Sequence, residues 1–365
     1  MTTRPPTRKR AATGVIAGFV LRLARESVPL TQTRAAEVLG VDLATVQGWE
    51  SGRRPLANMK AGAFLDLRRR LLALGADRSV LRMLDAAMDA DRLVGAALDP
   101  PAADLHPLAG WVHTRATAHM IAWAVNGTRP PALHFLATPS RRGPVATTPT
   151  LPTAERAAFF EHLRTVVEAS VDCGDRHALL RRQALYLASY DKSPAAVSWT
   201  AHALHARRDA LMTHGWSPHW AEARSTATAL ARQGDPQPLL DFIDRAMADD
   251  DAEAANLNYW AYWLDAANGP QSDDQFMTDR ALTGWDPVTL FRHMVRGLHQ
   301  APGYIDLYAH TLWALLTAHR WLPRAAPDIA AELIDRTALL LDEGRISSRA
   351  RTELGTVHYV LRDHH

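Results

Sequence analysis

The chain of 365 residues contains a single cysteine, Cys173. No intrachain disulfide can form, and such usage fits a reducing compartment. Lysine is almost as scarce: Lys9, Lys60 and Lys192 are the only three, and arginine carries the remaining positive charge. With abundant alanine, this bias speaks of a GC-rich genome more than of chemistry. No apolar run reaches the ~18–20 uninterrupted residues of a membrane-spanning helix. The basic stretch Met1–Arg10 is not followed by an apolar segment with a small-residue cleavage site. These absences lead to the expectation of a cytoplasmic protein with no membrane partner. Alternating β-branched runs are missing, which argues against a sheet-based fold. H-E-x-x-H, phosphate-loop, nucleophile-elbow and dinucleotide patterns are missing too, so neither catalysis nor a cofactor is expected.

What is present is unevenly distributed. The net charge of +2 conceals a division: residues 1–75 hold 13 Lys and Arg against 5 Asp and Glu, and the remainder holds 28 against 34. A basic module on a mildly acidic body points to a polyanion bound at one end. A solvated basic tail is the competing reading, because Arg4, Arg8, Lys9 and Arg10 lie together at the terminus.

Apolar residues recur at spacings of three and four in Ala-, Leu- and Arg-rich segments, so the chain reads as all-α. Helices are expected at Val15–Ser27, Thr31–Leu39, Leu43–Glu50, Asn58–Leu74 and Asp77–Leu98. The segment "LDPPAADLHP", Leu98–Pro107, interrupts helicity and serves as the expected domain boundary. This divides the chain into a basic arm (1–10), a five-helix domain (11–98), a linker (99–107), a helix with a Pro- and Thr-rich loop (108–152) and a helical body (153–365). In the body, helical segments are expected at about 154–170, 175–190, 194–213, 217–233, 236–248, 252–267, 286–299, 303–321, 327–342 and 347–362. Paired, they make hairpins of roughly 35–45 residues, the length of tetratricopeptide-like and other α-solenoid repeats. No repeat consensus is evident, so an irregular helical domain stays open beside the repeat reading.

The most informative stretch is "LTQTRAAEVLGVDLATVQGWESGRRP", Leu30–Pro55. Thr31 and Asp42 are suited to cap two short helices, and Gly40 to make the tight turn between them. Ala35, Ala36, Leu39, Val46 and Trp49 supply an inward face. Leu43, Ala44, Thr45, Gln47 and Gly48 are left on the outside or at the helix start. Two helices joined this way have the geometry of a unit whose second helix enters a major groove.

These residues resemble the lambda-repressor-like, Cro/XRE-type helix-turn-helix of bacterial and phage regulators, over about residues 13–75. The resemblance implies a five-helix DNA-binding domain in which Thr31, Gln32, Arg53 and Arg54 hold DNA phosphates. It places Leu43, Ala44, Thr45, Gln47 and Gly48 on the base-reading face, and Arg25 and Glu50 at positions that pair internally in some members. Two separate solvated side chains are the alternative for Arg25 and Glu50. Leu43 and Ala44 depart from the usual polar readers and suit thymine methyls, whereas Gln47 suits adenine. The implied partner is double-stranded DNA with palindromic or repeated half-sites, bound by a homodimer at the nucleoid. Such modules also occur in antitoxin-like proteins that sequester a partner and regulate their own operon.

In the body, "DAEAANLNYWAYWLDAANG" is the densest aromatic patch. Tyr259, Trp260, Tyr262 and Trp263 at helical spacing read first as core. The other reading makes Asn256, Asn258, Tyr259 and Trp263 a site for a small-molecule, peptide or protein effector. His202, His205, His214 and His219 lie near one another in sequence but have no Cys or acidic companions for zinc, so no metal is expected.

Overall fold

The computed structural model describes residues 14–135, 146–170, 177–206, 214–232, 234–267, 269–298, 304–344 and 346–363. Cys173 and the basic arm at 1–10 lie outside them. All regular elements among the described residues are helical, and Ala267 and Trp285 form an isolated antiparallel bridge. No described helix is long and apolar enough to cross a membrane.

The chain divides into two compact units, Met1–Cys173 with Tyr190–Lys192, and Gly174–Ser189 with Ser193–His365. The first contains α1 (Val15–Glu26), α2 (Gln32–Leu39), α3 (Leu43–Glu50), α4 (Ala61–Ala73), α5 (Arg78–Leu98), α6 (Pro107–Gly110), α7 (Arg115–Asn126) and α8 (Thr153–Ala169). α4 begins later than its periodicity suggests. A short 3-10 turn at Leu56–Asn58 buries Leu56 first, and the chain stays extended at Met59 and Lys60.

The expected boundary at 99–107 does not separate compact units. α5 is buried along most of its length and packs against α1, α7 and α8 alike. Phe19 on α1 meets Trp123 on α7 edge to face, with ring centroids 5.1 Å apart. Pro100 and Pro101 end a helix because they lack N–H donors, but ending a helix does not end a core. α5 also completes α1. Gly14 precedes α1 and offers no capping side chain, so the N–H groups of Ile16 and Ala17 donate to the Asp91 carboxylate at 3.0 and 2.9 Å. Burial pushes this carboxyl up to about 7, against the pull of those two donors.

The second unit contains α9 (Ala178–Ala188), α10 (Pro194–His205), α11 (Trp220–Arg232), α12 (Gln237–Ala246), α13 (Asp250–Trp263), α14 (Pro287–Gly297), α15 (Ile305–Ala318), α16 (Leu322–Ala325), α17 (Pro327–Glu343) and α18 (Ser348–Asp363). Ser193, Asp249 and Asp286 cap α10, α13 and α14 with their side chains. α11 packs on α12 and α17 on α18, as hairpin pairs would. α15, however, packs on α12, α13, α14 and α18 together. Its residues Leu307–Leu312, Ala314 and Leu315 are buried, so it is a central helix hydrophobic on nearly all sides.

Within α15, His310 is fully buried between two carboxylates. Its Nδ1 is hydrogen-bonded to Glu353 Oε1 at 2.9 Å, and Nε2 lies 2.9 Å from Glu253 Oε1 without hydrogen-bond alignment. Burial alone would lower the imidazole pKa, but the two carboxylates raise it to about 9. A group raised above its unfolded value, ~6.5, contributes stability that is fully present below that value. The contribution is lost as pH rises through about 9. The unfolding free energy of this unit, read from urea denaturation, should therefore fall between pH 6.5 and 9, by at most about 3.4 kcal/mol. His310→Gln should flatten that fall, and an unchanged pH profile would show that the imidazolium is not what the two glutamates hold.

Candidate nucleic-acid interface

α2 and α3 are set by their caps. Thr31 Oγ1 accepts from the Arg34 N–H at 3.1 Å, and Asp42 Oδ1 accepts from the Thr45 N–H at 2.5 Å. Gly40 ends α2 at φ +69°, a left-handed conformation that L side chains rarely adopt. Arg70 of α4 reaches back and donates to the Val38 carbonyl at 3.1 Å, tying α4 to the end of α2. Ala35, Ala36 and Val46 form the small core between the helices, with Leu30, Leu39, Val41 and Trp49 partly buried against it.

α3 is locked to α1 by a buried charge pair. Arg25 Nε and Nη2 donate to Glu50 Oε1 and Oε2 at 2.5 and 3.1 Å, the two-pronged geometry that a guanidinium fork favours. Nη1 donates to the Leu30 carbonyl at 2.7 Å, so the same side chain also fixes the chain entering α2. Burial opposes the charge on Arg25, and Glu50 with Glu26 more than restores it, so its pKa is raised. The alternative of two separate solvated side chains does not hold.

The residues expected to meet DNA divide into two groups. Leu43, Ala44, Gln47, Thr31, Arg53 and Arg54 are exposed. Thr45 is half-buried, and its hydroxyl accepts from Arg54 Nη1. Arg53 Nε donates to the Ser51 hydroxyl at 3.1 Å. Two expectations need correction. Gly48 is buried, not exposed: a Cβ there would sit 3.0 Å from Arg54 Cδ and 3.1 Å from its Cγ. The missing side chain makes room for the Arg54 stem. Gln32 is turned inward, and its amide donates to Glu50 Oε2 at 2.7 Å. It braces the Arg25–Glu50 pair instead of reaching outward.

The second set of sequence candidates lies on α13. Asn256 Nδ2 donates to the Thr311 hydroxyl at 2.9 Å. Asn258 is fully engaged: Nδ2 donates to the Met277 and Asp279 carbonyls at 3.1 and 2.7 Å, and Oδ1 accepts from Trp285 Nε1 at 2.7 Å. Both asparagines are buried and bind α13 to its surroundings, and only Asn256 Oδ1 is left without a partner among the described residues. Tyr259 and Trp263 do border a cleft, together with Tyr186, Trp260 and Tyr304. That cleft contains Arg224 of α11, which sequence reading passed over. Its signal was its register: Trp220, Arg224, Ala227 and Ala231 share one helical face, and the other three are buried core. His202, His205 and His214 are exposed, and the described residues contain no group of three or more His, Cys, Asp or Glu placed to hold a metal.

No protein-family model, curated protein or solved structure matches this chain.

Proposed function

We propose that this protein is a sequence-specific DNA-binding transcriptional regulator. The first unit carries a lambda-repressor-like helix-turn-helix, and the helical second unit serves dimerisation and effector sensing. The observation that carries this reading is the presentation of α3. Its Leu43, Ala44 and Gln47 face solvent beside Arg53 and Arg54, while Arg25, Glu50 and Gln32 fix its orientation from behind. A short helix with an exposed mixed apolar and amide face, flanked by arginines, suits base edges in a groove between phosphates. Paired helices such as α11/α12 and α17/α18 are the part of the second unit that resembles stacked repeats. Exposed Leu339, Tyr359 and Val360 on α17 and α18 offer apolar surface for a protein contact. A homodimer bound to half-sites ~34 Å apart, or a multiple of that, is the expected assembly.

Binding-site selection from random duplexes, repeated at several salt concentrations, tests the proposal. The half-sites should contain A/T at positions under α3. Gln47→Ala should cost about 1–3 kcal/mol on the preferred site and relax one position. Replacing Arg53 and Arg54 with alanine should weaken all duplexes alike and reduce the slope of log K against log salt by about 1 per lost phosphate contact. Failure to enrich any sequence would remove the reading. An isolated stoichiometric protein partner would favour the partner-sequestering alternative.

A further inference from the structure

Arg224 is the most anomalous charge in the second unit. Only 5% of its surface is exposed, its Nε has no hydrogen-bond partner, and no carboxylate among the described residues pairs with it. Its two arginine neighbours on α9 are neutralised. Arg181 forks onto Glu222 at 3.2 and 3.0 Å, and Arg182 meets Asp274 at 2.6 Å. Arg224 instead lies against two ring faces, 3.9 Å from the Tyr259 centroid and 4.9 Å from that of Trp260. Ring quadrupoles attract a cation, but they do not satisfy its N–H groups. Burial above all, and the nearby Arg182, push its pKa down, against the opposing pull of Tyr259, Tyr308 and Tyr304. Buried charges are ordinarily paired, because an unpaired one loses its hydration with nothing in return.

The surroundings point to what would pair it. Arg224 lines a cleft of about 40 Å³. That admits a carboxylate-sized headgroup, since one water needs only ~10–15 Å³. Arg224 Nε and Trp260 Nε1 are buried without a hydrogen-bond partner, and both residues line this cleft. Ser225 and Tyr304 bring hydroxyls to its lining. No described carboxylate lines the cleft, and Glu222 and Asp274 are committed to Arg181 and Arg182. Half-buried Tyr186, Trp263 and Tyr304 form walls for an apolar group.

We propose that Arg224 is the anchor of an effector site in the second unit that takes a carboxylate carried on an aromatic or apolar group. A planar carboxylate matches the guanidinium fork, and the aromatic walls accept the rest of the ligand. The carboxylate could belong to a free organic acid or to a peptide C-terminus, because both present the same headgroup. The inference rests on reading the second unit as a sensor, but the binding itself is measured without DNA.

Calorimetric titration of the full-length protein with phenylacetate and with phenylacetamide tests the anchor. N-acetyl-Ala-Phe, as the free acid and as its amide, tests the peptide source. At least one acid should bind at least tenfold more tightly than its own amide, and which one does so identifies the source. Arg224→Met, of similar shape, should abolish the preference and raise the melting temperature of the unliganded protein, since it removes an uncompensated buried charge. Arg224→Lys keeps the charge without the fork and should retain part of the preference. The proposal is overturned if both acids bind no better than their amides, or if Arg224→Met keeps the preference. A lower melting temperature for Arg224→Met would also overturn it, by making the guanidinium a packing strut for Tyr259 and Trp260. Site selection on the unliganded parent tests the DNA reading separately, so the two can fail independently.

Discussion

Glu50→Ala should destabilise the first unit by roughly 3–5 kcal/mol, the usual cost of leaving one member of a buried charge pair alone. Arg25, 8% exposed, would keep Glu26 and the Leu30 carbonyl but lose both prongs of its carboxylate, and Gln32 would lose its acceptor. Glu50→Gln should cost less, since an amide oxygen can still accept from Arg25. DNA affinity should fall for every sequence equally, because what is lost is the orientation of α3 and not a contact to a base. Urea denaturation of Glu50→Ala against the parent measures the first effect. A midpoint within error of the parent would show that α3 is held by its small apolar core alone. Gln32→Ala should show the same sequence-independent loss in milder form.

Trp260→Ala should cost the second unit roughly 3–5 kcal/mol, the range for emptying a large core site. Trp260 is 2% exposed and meets Tyr308 edge to face with centroids 4.5 Å apart. Trp263 shares the same aromatic run, but it is only half-buried, stacked on Tyr259 and edge-on to Tyr186. Trp263→Ala should cost well under half as much while weakening any ligand held in the Arg224 cleft. Thermal melting of the two variants separates them. Equal losses would place Trp263 in the core and leave the cleft without that wall.

The aromatic run on α13 shows why sequence periodicity stops short. Asn256, Asn258, Tyr259, Trp260 and Trp263 read equally well as a core stripe or as a ligand face, because both need the same residues at the same spacing. The choice falls to partners distant in sequence: Thr311 for Asn256, and Met277, Asp279 and Trp285 for Asn258. Gly48 presents the same problem at shorter range. Its place on α3 looked outward until Arg54, six residues on, folded across it. A helical register assigns a residue to a face but cannot say what later chain covers that face.

The sequence by itself determined the helical class and most of the helices, because periodicity, caps and turn residues act within a few positions. Thr31, Gly40 and Asp42 perform their roles as local chemistry requires. It also determined the polar and apolar faces of α3 at Leu43, Ala44, Val46 and Gln47. Only the tertiary structure decided the unit boundary, because α5 carries the core past Pro100 and Pro101 to α7 and α8. Only the tertiary structure turned Gln32 inward, capped α1 with Asp91 across 75 residues, enclosed His310 between two glutamates and buried Arg224 Nε without a partner. Each of these depends on where a charge or donor finds its partner, and a partner tens of residues away is a property of packing, not of the local chain.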